Sequence, residues 1–281
     1  MEQDRQRLPE GGIFYELDRH AAKVYIRDSL VRLQTGGPRP GGFVMARPFF
    51  CPGRTWGAKG GFSLGLFQIH VVTDGQKAAQ ELAEVVRKVA QAGADAVQLR
   101  YKAAPALELY RLAEQLLPVL DGTSTRLLIN DRVDVALAVG AHGVHLAAKS
   151  LPVDRVRALL PAPMVVGRSV HSLEEALEAQ RSGADYVTFG HVFTTRSKPG
   201  VPPRGPDDLR RIVESVDIPV LAIGGITPNN AAEAARTGCA GVAVIGAVMG
   251  HANPGAALSA LARALEASGA APAHPFRWPA S

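Results

Sequence analysis

The chain has 281 residues, 47% of them hydrophobic and 20% charged, which is enough to bury a sizeable core in one large α/β domain. Its formal charge is +5, but residues 1–65 carry ten Lys+Arg against six Asp+Glu while residues 66–281 carry 21 against 20; the basicity belongs to the N-terminal stretch, and the near-neutral remainder argues against a general nucleic-acid surface. Two cysteines, Cys51 and Cys239, give neither metal-ligand spacing nor a disulfide framework, no apolar run is long enough to span a membrane, and the first residues lack the apolar block of a secretory signal. A soluble, cytoplasmic protein without nucleic-acid or membrane partners is expected, with homo-oligomerisation left open.

Residues 1–65 are dense in punctuation, with Gly36 to Gly42, Cys51-Pro52-Gly53-Arg54 and Gly57 to Gly61 interrupting any periodic face. Ile13 to Leu33 has some helical character, and the whole stretch reads as a poorly ordered appendage in which Met45 is a candidate true start. From Leu66 the pattern becomes regular. Strands are expected at Leu66–Val72, Ala96–Leu99, Leu127–Ile129, Val144–Leu146, Met164–Val166, Tyr186–Phe189, Val220–Ile223 and Val242–Ile245. Helices are expected at Ala78–Gln91, with Leu82, Val85, Val86, Val89 and Ala90 on one face, at Pro105–Val119, and near 131–139, 152–160, 172–182, 207–215, 228–237 and 254–267.

Eight apolar strands alternating with eight helices predict a (β/α)8 TIM barrel over 66–270, with an irregular N-terminal extension and a C-terminal tail at 271–281. No Gly-x-Gly-x-x-Gly follows the first strand, which disfavours an open doubly wound sheet. The turns Ala92-Gly93-Ala94-Asp95, Gly140-Ala141-His142-Gly143, Gly183-Ala184-Asp185 and Gly238-Cys239-Ala240-Gly241 mark the end of the barrel opposite the catalytic face.

Polar groups collect where the strands stop. Gly167 and Gly190 are read as strand ends, with Ser169, His171, His191, Thr195, Ser197 and Lys198 just beyond them. Imidazoles carry protons near neutral pH, while hydroxyls, an ammonium and glycine amides suit a phosphate. Ile223-Gly224-Gly225-Ile226-Thr227-Pro228 and Val244-Ile245-Gly246-Ala247 end the last two strands, and their paired glycines predict a phosphate held by backbone amides. Arg100, Lys102 and Asn130 are candidate ligand contacts. Asp131 is equally explained as a helix cap, His145 reads as a hydrogen-bonded core histidine, and Glu174 and Glu175 as complements to a helix dipole.

In running order, Val72-Thr73-Asp74, Gln98-Leu99-Arg100-Tyr101-Lys102, Ile129-Asn130-Asp131-Arg132-Val133-Asp134, Gly143-Val144-His145-Leu146 and Ala222 to Pro228 resemble the thiamine phosphate synthase and TenI superfamily over about three-quarters of the chain. The synthase branch joins a pyrimidine diphosphate to a thiazole phosphate, and its pattern holds Mg²⁺ with two carboxylates that neutralise the departing pyrophosphate. One corresponds to Asp131; the other falls in Ala147-Ala148-Lys149-Ser150-Leu151-Pro152, where Ser150 replaces the aspartate and Lys149 adds a cation.

Gly167-Arg168-Ser169-Val170-His171-Ser172 and Phe189-Gly190-His191-Val192-Phe193 look instead like the TenI branch, with Arg168 and His191 as the discriminating residues. That resemblance implies a thiazole tautomerase that converts the ylidene form of a carboxythiazole phosphate into the aromatic form. His171 is then the acid/base, His191 shapes the pocket, and neither metal nor organic cofactor is expected. A thiamine phosphate synthase using Gln98, Arg100, Lys102, Asn130, Asp131 and Lys198 is the enzymatic alternative. A non-catalytic regulator binding thiazole phosphate or thiamine phosphate is the third reading.

Overall fold

A computed structural model describes residues 14–18, 21–26, 29–34 and 66–279. The chain divides into two compact units, Met1–Phe49 and Phe50–Ser281. In the first, β1 (Phe14–Asp18), β2 (Ala21–Ile26) and β3 (Ser29–Gln34) form an antiparallel sheet in sequence order. This corrects the helical reading of Ile13 to Leu33. Each run is five or six residues long, two residues separate it from the next, and Phe14-Tyr15, Val24-Tyr25-Ile26 and Val31 supply the β-branched and aromatic residues that favour strands. The candidate start at Met45 and the glycine-rich runs lie outside the described residues.

In the second unit the strands close on themselves. β4 (Gln68–Val72), β5 (Ala96–Leu99), β6 (Arg126–Asn130), β7 (Gly143–Leu146), β8 (Val165–Val170), β9 (Tyr186–Gly190), β10 (Val220–Ile223) and β11 (Gly241–Val244) pair in order, all in parallel, and β11 returns to β4 through Gly241↔Gln68. This is the expected (β/α)8 barrel. The helices around it are α1 (Ala79–Gln91), α2 (Ala106–Leu120), α3 (Val133–Val139), α4 (Val153–Leu159), α5 (Leu173–Arg181), α6 (Gly205–Val213), α7 (Ala231–Ala235) and α9 (Pro254–Glu266). A four-residue helix, α8 (Gly246–Met249), follows the eighth barrel strand. It was missed in the sequence because four residues hold barely one helical turn.

Two apolar layers result from the strand alternation. One lies between barrel and helices: α1 buries Leu82, Val85, Val86, Val89 and Ala90, the five residues its period predicts, and the strands answer with Val71, Val97, Ile129 and Val187 among others. The other fills the barrel axis, with Ala96, Leu128, Val165, Tyr186, Leu221 and Ala240. Phe276 joins this axial cluster and Trp278 packs against it, so the segment expected as a tail helps to close the base of the barrel. Trp278 Nε1 donates to Gln68 Oε1 at 3.1 Å, and Phe276 meets Tyr186 edge to face at 5.1 Å between ring centres.

The repeated turns at the base share one device. The Asp95 carboxylate accepts from Ile69 N at 2.8 Å, Asp185 accepts from Val166 N at 2.6 Å, and in the third turn His142 Nδ1 accepts from Leu127 N at 3.0 Å. Each satisfies a strand amide that would otherwise be stranded at the rim.

Candidate active site at the barrel mouth

The C-terminal strand ends form the mouth, and the first pair is clipped by a side chain. Thr73 Oγ1 accepts from Arg100 N at 2.8 Å and donates to Arg100 O at 3.0 Å, which holds the ends of β4 and β5 together. Arg100 is half-buried, and burial lowers its pKa; the guanidinium stays charged nonetheless. Lys102, two residues on, is exposed. Leu99 pairs with Ile129 in the ladder, so Arg100 and Asn130 follow on neighbouring strands.

Asn130 and Asp131 are held by one acceptor. The backbone carbonyl of His145 takes Asn130 Nδ2 at 3.1 Å and Asp131 N at 2.9 Å. Asp131 has φ +68°, the one positive value at a non-glycine residue among those described. A left-handed aspartate costs about 1–2 kcal/mol and persists where its surroundings dictate it, commonly at functional sites. It is not the side-chain cap of α3, whose N-cap position is Arg132. The neighbouring loop is also pinned: Ser150 Oγ accepts from Ala147 N at 2.7 Å, and Arg168 donates to Ala147 O at 2.7 Å.

β8 extends past the expected end at Gly167, to Val170. Gly167 is not a strand terminus but a clearance, because a Cβ there would lie 2.2 Å from Tyr186 Cζ. Ser169 is consequently inside the strand and turned to the axis, with Oγ 2.8 Å from His145 Nε2 and 3.3 Å from Thr188 Oγ1. Its hydroxyl bonds within the barrel, and the residue stays partly exposed toward the mouth. His145 completes the network through Nδ1, 3.0 Å from Tyr186 Oη; burial, with Arg168 adding to it, pushes the imidazole pKa down to about 3.

His171 follows β8 at the rim. Ser172 caps α5 by accepting from Glu175 N at 3.2 Å, while Glu175 Oε2 accepts from His171 N at 2.6 Å and lies 3.5 Å from His171 Nδ1. The cap is reciprocal but shifted by one residue from a capping box, since Glu175 reaches the amide before the N-cap, and that brings a carboxylate to the imidazole. Burial lowers the His171 pKa, Lys198 and Arg204 add to that effect, and Glu175 opposes it. Glu175 therefore does more than complement the helix dipole.

His191 is 5% exposed, with Nε2 3.2 Å from Val201 O and Nδ1 without a partner among the described residues. Thr195 Oγ1 accepts from Ser197 N at 3.3 Å, so this hydroxyl shapes its own turn, whereas Ser197 and Lys198 are exposed. Gly224 and Gly225 have φ +95° and +69°, and a Cβ on either would strike the β9–α6 loop, at His191 Cβ (2.3 Å) and Thr194 O (2.4 Å) respectively. Gly246 differs: a Cβ there would meet nothing within 4 Å. The amides of Gly224, Gly225, Gly246 and Ala247 donate to no acceptor among the described residues, so they are free to hold an anion.

His145 is the hydrogen-bonded core histidine expected from the sequence, but the sequence reading missed the rest of the axial polar column to which it belongs. His70, Gln98, His145, Tyr186 and Thr188 are buried, and the Gln98 amide nitrogen has no partner among the described residues. The signal was parity, which was read at His145 but not at Gln98 and Arg100, which alternate with Leu99 on the two faces of the strand. No group of three or more His, Cys, Asp or Glu side chains suited to a metal occurs among the described residues.

Eight parallel strands with cations, an amide, a left-handed aspartate and free glycine amides at their C-terminal ends define a (β/α)8-barrel protein whose mouth is suited to an anion. The pattern of the Thiamine monophosphate synthase family matches residues 69–248, and the chain belongs to that family. Thiamine-phosphate synthase from Roseiflexus castenholzii is 45% identical over 202 residues, covering 71% of this chain and 89% of that protein. The Pyrococcus furiosus protein of the same name is 44% identical over 183 residues, covering 65% and 87%. The solved structure of thiamine phosphate pyrophosphorylase from Pyrococcus furiosus superposes with a TM-score of 0.65 at 40% identity, covering 73% of this chain and 98% of that one. These relatives carry the synthase name, which weighs against the isomerase branch inferred from Arg168 and His191. No helix among the described residues is long and apolar enough to cross a membrane.

Proposed function

We propose that the chain is a thiamine-phosphate synthase, joining a pyrimidine diphosphate to a phosphorylated thiazole with release of pyrophosphate. The observation that carries this reading is Asp131, held in a left-handed conformation at the mouth beside Asn130, on the strand next to Arg100. No hydrogen bond or ion pair to a described residue engages its carboxylate. Similarity to synthases over nearly their whole length supports the same reading.

The donor set fits Mg²⁺ even with Ser150 in place of a carboxylate. Mg²⁺ is commonly held by one or two carboxylates together with substrate phosphates and water, so Asp131 and the diphosphate oxygens suffice. When bound, the ion neutralises charge on the leaving pyrophosphate. Arg100, Lys102 and Lys198 bind the diphosphate as cations, and Asn130 orients it. The amides of Gly224, Gly225, Gly246 and Ala247 hold the thiazole phosphate, with Ser197 and Lys198 at the rim. His191 lines the wall behind Gly224.

A second reading, the thiazole tautomerase, is favoured by one pair. His171 beside Glu175, with its pKa lowered, is a neutral imidazole able to move a proton at pH 7. Assaying the purified protein both for thiamine phosphate formation with Mg²⁺ and for ylidene-to-aromatic conversion separates the two. Coupling that survives His171→Gln supports the synthase. Isomerisation that falls about 10²–10⁴-fold in that variant, with no coupling by the parent, would replace it.

A further inference from the structure

We propose that residues 271–279 form a strap closing the base of the barrel over His70, and that protonation of the uncovered imidazole holds the strap open. The segment follows α9 without helix or strand of its own. It lies over the seam where the sheet closes. Ala273 N donates to Gly238 O at 2.9 Å in the turn before β11, and Trp278 Nε1 donates to Gln68 Oε1 at 3.1 Å at the start of β4. Among the described residues, these two hydrogen bonds join the segment to the barrel; the rest of its grip is aromatic. Phe276 meets His70 edge to face at 5.8 Å between ring centres, and Trp278 stacks on His70 at 5.9 Å with 25° between the planes. A segment held by two hydrogen bonds and two rings opens at a lower free energy than strands bonded on both sides.

His70 is the group that such an opening uncovers. It is 2% exposed, and its Nε2 has no partner among the described residues. Tyr186 faces it from β9 and Phe276 and Trp278 from the strap, while His145, on β7, is the titratable group whose charge acts on it. The strap itself carries a partly exposed His274 and an exposed Arg277. A proton on the closed His70 ring places an unpaired charge among these side chains. Stacking on Trp278 offsets part of that cost, but burial without an acceptor outweighs it and keeps the pKa at about 3. With the strap lifted, water reaches the ring and the ordinary value of 6.5 returns. Protons then bind the open form and not the closed one, so the open fraction is constant above pH 6.5 and rises about tenfold for each unit the pH falls below it.

Hydrogen exchange followed by NMR in the full-length protein tests this, because it reads rare openings without reference to activity and so stands apart from the synthase reading. The Ala273 amide and the Trp278 indole N–H report the strap; the amides of β5 report the barrel. Corrected for intrinsic rates, strap protection should lie below that of β5 throughout. It should fall about tenfold from pH 7.5 to pH 5.5, and about tenfold again by pH 4.5. His70→Gln should abolish the fall, and His274→Gln should keep it. Gln68→Ala, which removes the acceptor for Trp278, should lower Ala273 protection about two- to tenfold at pH 7.5 and leave its pH dependence parental. If His70→Gln does not fold, the parent and His274→Gln decide the matter. Strap protons that exchange only as fast as those of β5, or protection that does not change with pH, overturn the proposal. So does a pH dependence that survives in a folded His70→Gln protein or is lost in His274→Gln.

Discussion

Gly225 and Gly246 end neighbouring strands and look equivalent in the sequence, yet substitutions at the two should do opposite things. At Gly225 the backbone is left-handed, and an added Cβ would lie 2.4 Å from Thr194 O and 2.6 Å from Phe193 O. The conformation alone costs an L-residue about 1–2 kcal/mol, and forcing two carbonyl oxygens aside adds about 1–3 kcal/mol. Gly225→Ala should therefore lose about 2–5 kcal/mol of stability, a large share of the 5–15 kcal/mol typical of a folded domain. At Gly246 φ is not positive and the Cβ would enter open space, so Gly246→Val should change stability by no more than about 0.5 kcal/mol. The new side chain stands at the proposed phosphate site, however. Denying one charge-assisted amide bond to a phosphate costs about 1.5–3 kcal/mol, or roughly ten- to a hundredfold in affinity. Urea unfolding measures the first effect, and calorimetric titration with the thiazole phosphate measures the second. A Gly225→Ala protein as stable as the parent refutes the packing argument, and a Gly246→Val protein with parental affinity refutes the phosphate site.

At the opposite end of the barrel, Phe276→Ala should destabilise by about 3 kcal/mol, the lower end of the range for a buried phenylalanine, since the residue is 7% exposed and touches Tyr186, His70 and Trp278. Chemical denaturation gives the figure, and kcat measured well below Tm should stay parental because the mouth is untouched. His70 and His145 have pKa values lowered from 6.5 to about 3, chiefly by burial. Between those values the unfolded chain binds protons that the folded barrel refuses, so stability is complete above pH 6.5 and falls as the pH drops. Each histidine contributes a slope of up to about 1.4 kcal/mol per pH unit. Replacing His70 with an apolar residue of similar size should flatten that slope in urea midpoints measured from pH 7 to pH 4; an unchanged slope would contradict the assignment.

How much of this was legible beforehand depended on whether the cause was local. Helix α1 was readable to the residue because one apolar face must recur every 3.6 positions wherever the helix packs. β5 and β10 were readable because short apolar runs between turn residues have few other uses in an α/β chain. The glycines that follow β10 and β11 stood out because they interrupt those apolar runs. The ends of β8 did not: Gly167 looks like a stop, and only the Tyr186 ring, 19 residues away in sequence, explains why a glycine sits within a continuous strand.

The sequence by itself determined the alternation of strands and helices, hence the barrel and the end at which its chemistry collects, because those follow from periodicity and from where polar residues interrupt it. Tertiary structure alone decided which of those residues face one another. Closing the sheet through Gly241↔Gln68 assigns alternate side chains to the axis, and that turns Ser169 toward His145. It also puts the His145 carbonyl beside Asn130 and Asp131, and it leaves a base that Phe276 and Trp278 help to close. Such contacts join residues from 14 to 210 positions apart, and their partners are selected by register and closure, which no local window of sequence contains.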